Sequence, residues 1–289
     1  MKPVAFDYAK PGTEAEAVEL LGELGGEAVV LAGGMSLGPM LNLRLVKPSM
    51  VVDIGGIADL AAIGGVGSTV TTGAALRQCD AMKNRELMEV LPLLGLALPW
   101  VGHVQTRNRG TLGGSVAHAD PSAEIPLCLA TLNGQVVLRS KRGGRRVPAR
   151  VFFLGFLSTA RAPDELVLSL EWPKAQAGEG FAFEEFAQRH GDFAIAAAAC
   201  RVRVEEGAIA EFTLGLGGVE DRPIVFDLRE FEFQPADDPG FPDMVADMVD
   251  ERIDPISDHA ASAPHRRMLA SRLARRTAIS ALKSTSASS

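Results

Sequence analysis

Thr111-Leu112-Gly113-Gly114-Ser115-Val116-Ala117-His118-Ala119-Asp120-Pro121-Ser122-Ala123-Glu124-Ile125-Pro126 joins a Gly-Gly turn to small hydroxyl residues and then to two carboxylates four residues apart. Glycine lets peptide N–H groups approach an anion at a distance that a Cβ would block. Ser and Thr add hydroxyl donors for the same oxygens. A shorter version lies upstream at Ala32-Gly33-Gly34-Met35-Ser36-Leu37. Two such turns in one chain predict two grips on one diphosphate. Neither is a G-x-G-x-x-G or a G-x-x-x-x-G-K-[ST], so the dinucleotide and P-loop fingerprints are excluded. Gly-Gly pairs also occur at Gly25, Gly55, Gly64, Gly143 and Gly217, among 30 glycines. What separates the two candidate loops from these is the adjoining Ser or Thr and the apolar run Ala28-Val29-Val30-Leu31 that leads into the first.

Longer ordered motifs surround both loops. Ala32-Gly33-Gly34-x-Ser36-Leu37-x-Pro39-Met40-Leu41-Asn42-Leu43-Arg44-Leu45 is followed by Arg107-Asn108-Arg109-Gly110-Thr111-Leu112-Gly113-Gly114-Ser115 and by His118-Ala119-Asp120-Pro121. Together they resemble the FAD-binding medium subunit of the molybdenum hydroxylases, the family of xanthine dehydrogenase and carbon monoxide dehydrogenase. The likeness runs from Phe6 to about Leu282. It implies an α+β fold: a two-part PCMH-type FAD-binding domain over 1–176, with subdomains of about 1–57 and 58–176. A smaller C-terminal α/β domain with a three-stranded antiparallel sheet, of the carbon monoxide dehydrogenase flavoprotein type, follows over 177–289. The polar stretch Lys174-Ala175-Gln176-Ala177-Gly178-Glu179-Gly180 is the candidate boundary.

The resemblance also assigns roles. Ala32, Gly33, Gly34, Met35, Ser36 and Leu37 match the first diphosphate loop, and Gly110, Thr111, Gly113, Gly114 and Ser115 the second. Glu124 matches a carboxylate that holds ribityl or ribose hydroxyls, and Asp120 shares that work or braces its loop. Val101, Ala117, His118 and Arg161 fall where relatives line the cofactor. His118 reads as a structural or cofactor-contacting histidine rather than a general base. Phe183 occupies a position read as an aromatic over the isoalloxazine, a tyrosine in many carbon monoxide dehydrogenases. The expected activity is that of an oxidoreductase subunit with FAD as its one cofactor and with no metal site or catalytic residue of its own. A large partner subunit would carry the molybdenum cofactor and a small one two [2Fe-2S] clusters, in a dimer of heterotrimers. Electrons would leave to NAD, oxygen or a quinone. The competing readings are a flavin-free structural or assembly subunit and a stand-alone flavin oxidase.

Composition agrees. A chain of 289 residues with 47% hydrophobic and 22% charged residues can bury a large core and form two domains. A net charge of −7 gives no reason to expect nucleic acid or an anionic membrane as partner. No run reaches membrane-span length, and the N-terminal segment lacks a signal peptide's apolar core, so a cytoplasmic location is expected. Cys79, Cys128 and Cys200 form no C-x-x-C pair and cannot supply the four ligands of an iron–sulfur cluster. His103, His190, His259 and His265 show no metal-ligand spacing.

Periodicity gives the coarse elements. Helices are expected from Thr13 to Leu21, Pro39 to Leu45, Leu76 to Val90 and Leu91 to His103, then from about Pro239 to Arg252 and Ala263 to Leu282. Strands are expected at 28–31, 50–54, 66–73, 134–140, 145–148, 166–173, 181–187, 194–204 and 209–216. A polar tail begins at Ser284.

Overall fold

The computed structural model describes residues 2–285. The first lobe is a three-stranded parallel sheet with Met50–Asp53 in the centre, flanked by Asp7–Ala9 and Ala28–Leu31. Helix Glu14–Leu24 starts where Thr13 accepts a hydrogen bond from Glu16 N, and it turns Ala17, Val18 and Leu21 inward. These pack with Val52, Ile54, Ile57 and Leu60, and with Leu166 of the next sheet, which ties the first lobe to the second. The chain leaves the carboxyl end of the Ala28–Leu31 strand as the first glycine loop. In open parallel sheets that end is where ligands collect.

The second lobe holds a five-stranded antiparallel sheet, in the order Ile63–Gly64, Thr69–Gly73, Leu166–Pro173, Gln135–Ser140 and Gly143–Pro148. Fully buried Trp172 anchors it by donating its indole N–H to Thr72 at 3.0 Å. The helices here differ from the sequence expectation for local reasons. The run from Leu76 to Val90 is two helices, Gln78–Lys83 and Arg85–Val90, because Asn84 turns extended and caps the second through Leu87 N at 2.9 Å. The run from Leu91 ends as an α-helix at Ala97 and continues as a 3₁₀ turn over Leu98–Trp100, since Pro99 cannot donate back along the helix. Helices Val104–Arg109, Leu112–His118 and Glu124–Thr131 carry no readable period. Every residue of Glu124–Thr131 is buried, so it has no polar face to alternate with.

The C-terminal lobe has three long antiparallel strands, Glu179–Phe186, Ala196–Glu205 and Ala208–Gly217, with the short strand Ile224–Asp227 added at the edge. One face is covered by helices Phe241–Arg252 and Ala263–Thr285, over a core in which Phe212, Phe231 and Phe241 meet edge to face. The other face joins the second lobe's core. Gly215 is what permits the close approach of helix Glu124–Thr131: a Cβ there would overlap Thr131 Oγ1 and stand 2.9 Å from Leu127. The last helix runs through Ser284, which the sequence placed at the start of a polar tail; residues 286–289 lie outside the described part.

Candidate functional site

The two glycine loops meet. A Cβ on Gly33 would overlap the Arg109 carbonyl and stand 2.8 Å from Gly110 Cα, so only glycine lets the first loop lie on the second. Where they meet, all three lobes enclose a cleft of about 840 Å³, in the upper part of the range for small-molecule sites.

The loops contribute in different ways. Gly34 is left-handed at φ 73°, and the N–H groups of Gly33, Gly34, Met35 and Ser36 donate to no other described residue. Successive free N–H groups around such a turn form a concave nest for an anion. The second Gly-Gly is a helix start rather than a turn. Thr111 caps helix Leu112–His118 by accepting from Gly114 N at 3.0 Å. Leu112 N, Gly113 N and Ser115 N are bonded to the carbonyls of Leu76, Ala74 and Thr111. The free backbone donors therefore sit on the first loop. The second supplies bare Gly113-Gly114 surface and the hydroxyls of Thr111 and Ser115.

The sequence-derived residues converge with one exception. Ala32 through Leu37, Val101, Gly110, Thr111, Gly113, Gly114, Ser115, Ala117, His118, Asp120, Glu124 and Arg161 all line the cleft. Phe183 does not. It lies in the Glu179–Phe186 strand, 6% exposed, with its side chain in the core shared with the second lobe. The alternation of that strand turns Phe181 and Phe183 to the same buried face.

The aromatic at the cleft is Phe193, ten residues later and 71% exposed. It ends a loop that is fastened to the second lobe. His190 stacks on Trp100 at 5.5 Å, and left-handed Gly191 sits where a Cβ would be 2.7 Å from His103 Nδ1. The signal available in sequence was the Gly191-Asp192 turn pair, which takes Phe193 out of the strand alternation. His259 and Ala260, which the sequence did not single out, also reach the cleft. Their turn is held by Asp258, whose Oδ1 accepts from Ala260 N, Ala261 N and buried Arg266 at 2.6–3.0 Å.

Asp120 accepts from Ser122 N at 2.9 Å and so braces the turn before the Glu124 helix. Arg161 spends its guanidinium on the carbonyls of Ala162 and Glu165. Burial pushes half-buried His118 below the usual imidazole range, partly offset by Asp120, so it is neutral at pH 7. Burial raises Glu124 to about 7, with Asp120 adding to the rise and Arg107 opposing it. Glu185 is raised to about 8, first by burial and then by Glu124.

Both carboxyls hold a proton more tightly folded than unfolded. The stability this provides is complete below the ordinary carboxylate range and is lost as pH rises through about 7 and then about 8. Urea unfolding of the flavin-free chain should show stability falling between about pH 5 and about pH 8.5, by at most about 7 kcal/mol, the full linkage of the two carboxyls. Glu185→Gln should reduce that slope, and an unchanged slope would remove Glu185 as a contributor.

An FAD fits these residues. The unpartnered nest and the cradle that a Cβ at Gly114 would fill suit a diphosphate, and Glu124 is placed to accept from hydroxyls. Among the described residues no group of three or more His, Cys, Asp or Glu could hold a metal ion. No described helix is long and apolar enough to cross a membrane.

Known proteins agree with this geometry. Residues 4–175 match the FAD binding domain in molybdopterin dehydrogenase, and residues 181–281 match the CO dehydrogenase flavoprotein C-terminal domain. The carbon monoxide dehydrogenase medium chain of Hydrogenophaga pseudoflava is 36% identical over 76% of this chain and 76% of its own length. The nicotine 6-hydroxylase medium subunit of Paenarthrobacter nicotinovorans is 33% identical over 97% of this chain and 99% of its own. Among solved structures, quinoline 2-oxidoreductase from Pseudomonas putida 86 superposes with a TM-score of 0.92 at 32% identity, covering 99% of each chain. The chain therefore belongs to the FAD-binding medium subunits of the molybdenum hydroxylases, oxidoreductases in which this subunit carries the flavin step of electron transfer within a multi-subunit complex.

Proposed function

We propose that this chain seats FAD with its diphosphate between the Ala32–Leu37 loop and the bare Gly113-Gly114 surface. The observation that carries the reading is the run of unpartnered N–H groups from Gly33 to Ser36, lying against that surface. Gly110, Thr111 and Ser115 complete the second grip, Glu124 accepts from the cofactor's hydroxyls, and Val101, Ala117, His118, Asp120 and Arg161 wall the cleft. When bound, FAD takes electrons singly and releases them in pairs. The chain's own work is to hold the ring, exclude water and set the polarity around it. Neutral His118 and Glu124 are the groups on hand for that tuning. Phe193, rather than Phe183, is the aromatic that covers the ring.

The 1–176 and 177–289 division separates the flavin-binding part from a domain that closes the cleft with Phe193 and His259. Electrons arrive from two [2Fe-2S] clusters on a small partner subunit and originate at a molybdenum cofactor on a large one, in a cytoplasmic dimer of heterotrimers. They leave to NAD, oxygen or a quinone. Relatives named for carbon monoxide, nicotine, caffeine and quinoline share this chain's family, which supports a substrate site on another subunit.

The test is the purified chain itself. It should show the two visible bands of oxidised flavin, and acid extraction should release FAD rather than FMN at about one per chain. Iron and molybdenum should stay with co-purified partner subunits. A colourless chain that binds no added FAD would restore the flavin-free assembly reading. Substrate oxidation by the lone chain would restore the flavin oxidase.

A further inference from the structure

Beneath the cleft floor lies a carboxyl that FAD binding leaves without a task. Glu185 is 8% exposed, and both of its oxygens are buried without a hydrogen-bond partner. Alternation along its strand puts it on the face of Phe181 and Phe183, opposite the face whose Glu184 pairs with Arg276 of the last helix. The sheet carries this face to the cleft. Glu185 is opposite Ala197, and Ala197 is opposite Gly217. A Cβ on Gly217 would stand 3.8 Å from Ala197 Cβ, 3.1 Å from Leu127 and 3.3 Å from the Pro121 carbonyl. Pro121 and Leu127 flank Glu124, so the segment that presents Glu124 to the cleft covers the row containing Glu185.

Among the described residues no cation answers the Glu185 carboxyl. Helix Pro92–Ala97, which packs on its strand, has no titratable group, and its row neighbours are Ala197 and Gly217. From the covering segment come Glu124, Asp120, neutral His118 and the Cys128 thiol, which burial keeps protonated. Arg107 faces Glu124 but donates to the carbonyls of Val101 and Gly102 at 2.8–2.9 Å. Two neighbouring carboxyls in a dry site cannot both ionise.

We propose that Glu185 is a positioning residue: it keeps its proton, which has no acceptor among the described residues of the flavin-free chain, and donates it in a hydrogen bond to Glu124 when FAD is bound, aiming Glu124 as an acceptor for the cofactor. This rests on Glu124 contacting FAD. Glu185 lies outside the cleft lining and acts only through Glu124. Its loss of a proton, released to the buffer above about pH 8, sets two negative groups against each other and weakens the site.

The experiment is the dissociation constant of FAD for the flavin-depleted chain from about pH 6.5 to about pH 9, read by flavin fluorescence, for wild type, Glu185→Gln, Glu185→Met and Glu124→Met. One proton linked to binding changes affinity by at most about tenfold per pH unit. Wild type should bind about tenfold more weakly at about pH 9 than at about pH 7. Glu185→Gln, whose amide still donates but does not ionise, should bind like wild type at pH 7 and hold that affinity to the top of the range. Glu185→Met, of similar length but with no donor, should bind several-fold more weakly throughout. A Glu185→Gln protein that follows the wild-type decline, or a Glu185→Met protein that binds like wild type, overturns the proposal. Wild-type affinity in Glu124→Met, which has no comparable acceptor, would instead remove the assignment of Glu124, leaving the diphosphate loops untouched.

Discussion

Gly114→Val should give a soluble, folded chain that retains no FAD. Gly33, Gly113 and Gly114 differ in what a side chain would meet, and Gly114 is the one that separates binding from folding. A Cβ on Gly33 runs into the Arg109 carbonyl and Gly110 Cα, and a Cβ on Gly113 stands 2.5 Å from Ala74 Cα. Backbone cannot step aside at either place, so substitution there should cost stability as well as cofactor. At Gly114 the nearest atom is the Thr111 hydroxyl at 2.7 Å, and the next is Ala32 Cβ at 3.8 Å. Thr111 can rotate, at the loss of the helix cap it gives to Gly114 N, which costs about 1 kcal/mol. The isopropyl group then stands between the two loops, in the space that the diphosphate needs. Affinity should fall at least about a hundredfold, or about 2.7 kcal/mol. Flavin content after gel filtration and the thermal midpoint of the flavin-free protein decide the outcome. Full flavin content in Gly114→Val would mean that the diphosphate lies elsewhere.

How much of this was legible in sequence depended on whether the signal was local. Residues 28–37 carry both halves of their meaning in order: an apolar β-branched run, then Gly-Gly and a hydroxyl. The strand, the loop and its free N–H groups all lie where that order puts them. The two C-terminal helices were readable for a local reason too, since each has one wet face; the three long strands in front of them are buried on both faces over much of their length and were marked by apolar runs instead. Helix Glu124–Thr131 was not, because burial on every side erases periodicity. Helix Leu112–His118 was hidden by its own start. Gly-Gly is poor helix material, and what makes it helical is Thr111 as cap together with the docking of Leu112 and Gly113 on the Leu76 and Ala74 carbonyls. Those are long-range contacts that no window of sequence contains.

The cleft itself was recovered through motif order, and its third wall was not. Phe193 and His259 come from the C-terminal domain, some 80 to 230 residues from the glycine loops along the chain. Their placement depends on fastenings elsewhere. Arg266, buried under the sheet end, donates to the carbonyls of Ile195 and Gly218 and pairs with Asp258. One guanidinium thus fixes the strand that follows Phe193 and the turn that carries His259. An arginine in the first turn of a long amphipathic helix gives no hint of this in sequence.

Phe183 and Phe193 therefore offer a crossed pair of expected results, with effects in opposite measurements. Phe183→Ala removes a ring that is 6% exposed from the main core, at a cost of about 3–5 kcal/mol in unfolding free energy. With the cleft lining unchanged, the flavin that remains on the folded fraction should react with oxygen at the wild-type rate. Phe193→Ala removes a ring that is 71% exposed in the flavin-free chain, so unfolding of that chain should change by less than about 0.5 kcal/mol. Its flavin should bind more weakly, by about 1 kcal/mol or about fivefold, for loss of an aromatic contact. The reduced cofactor should be reoxidised by oxygen several-fold faster, because the loop that carries Phe193 is the part of the wall that can exclude oxygen and water. Urea melts of the flavin-free variants and stopped-flow reoxidation of the flavin-loaded ones supply the four numbers. If Phe193→Ala leaves reoxidation unchanged and Phe183→Ala speeds it, the ring lies against the sheet and the cleft described above does not hold it.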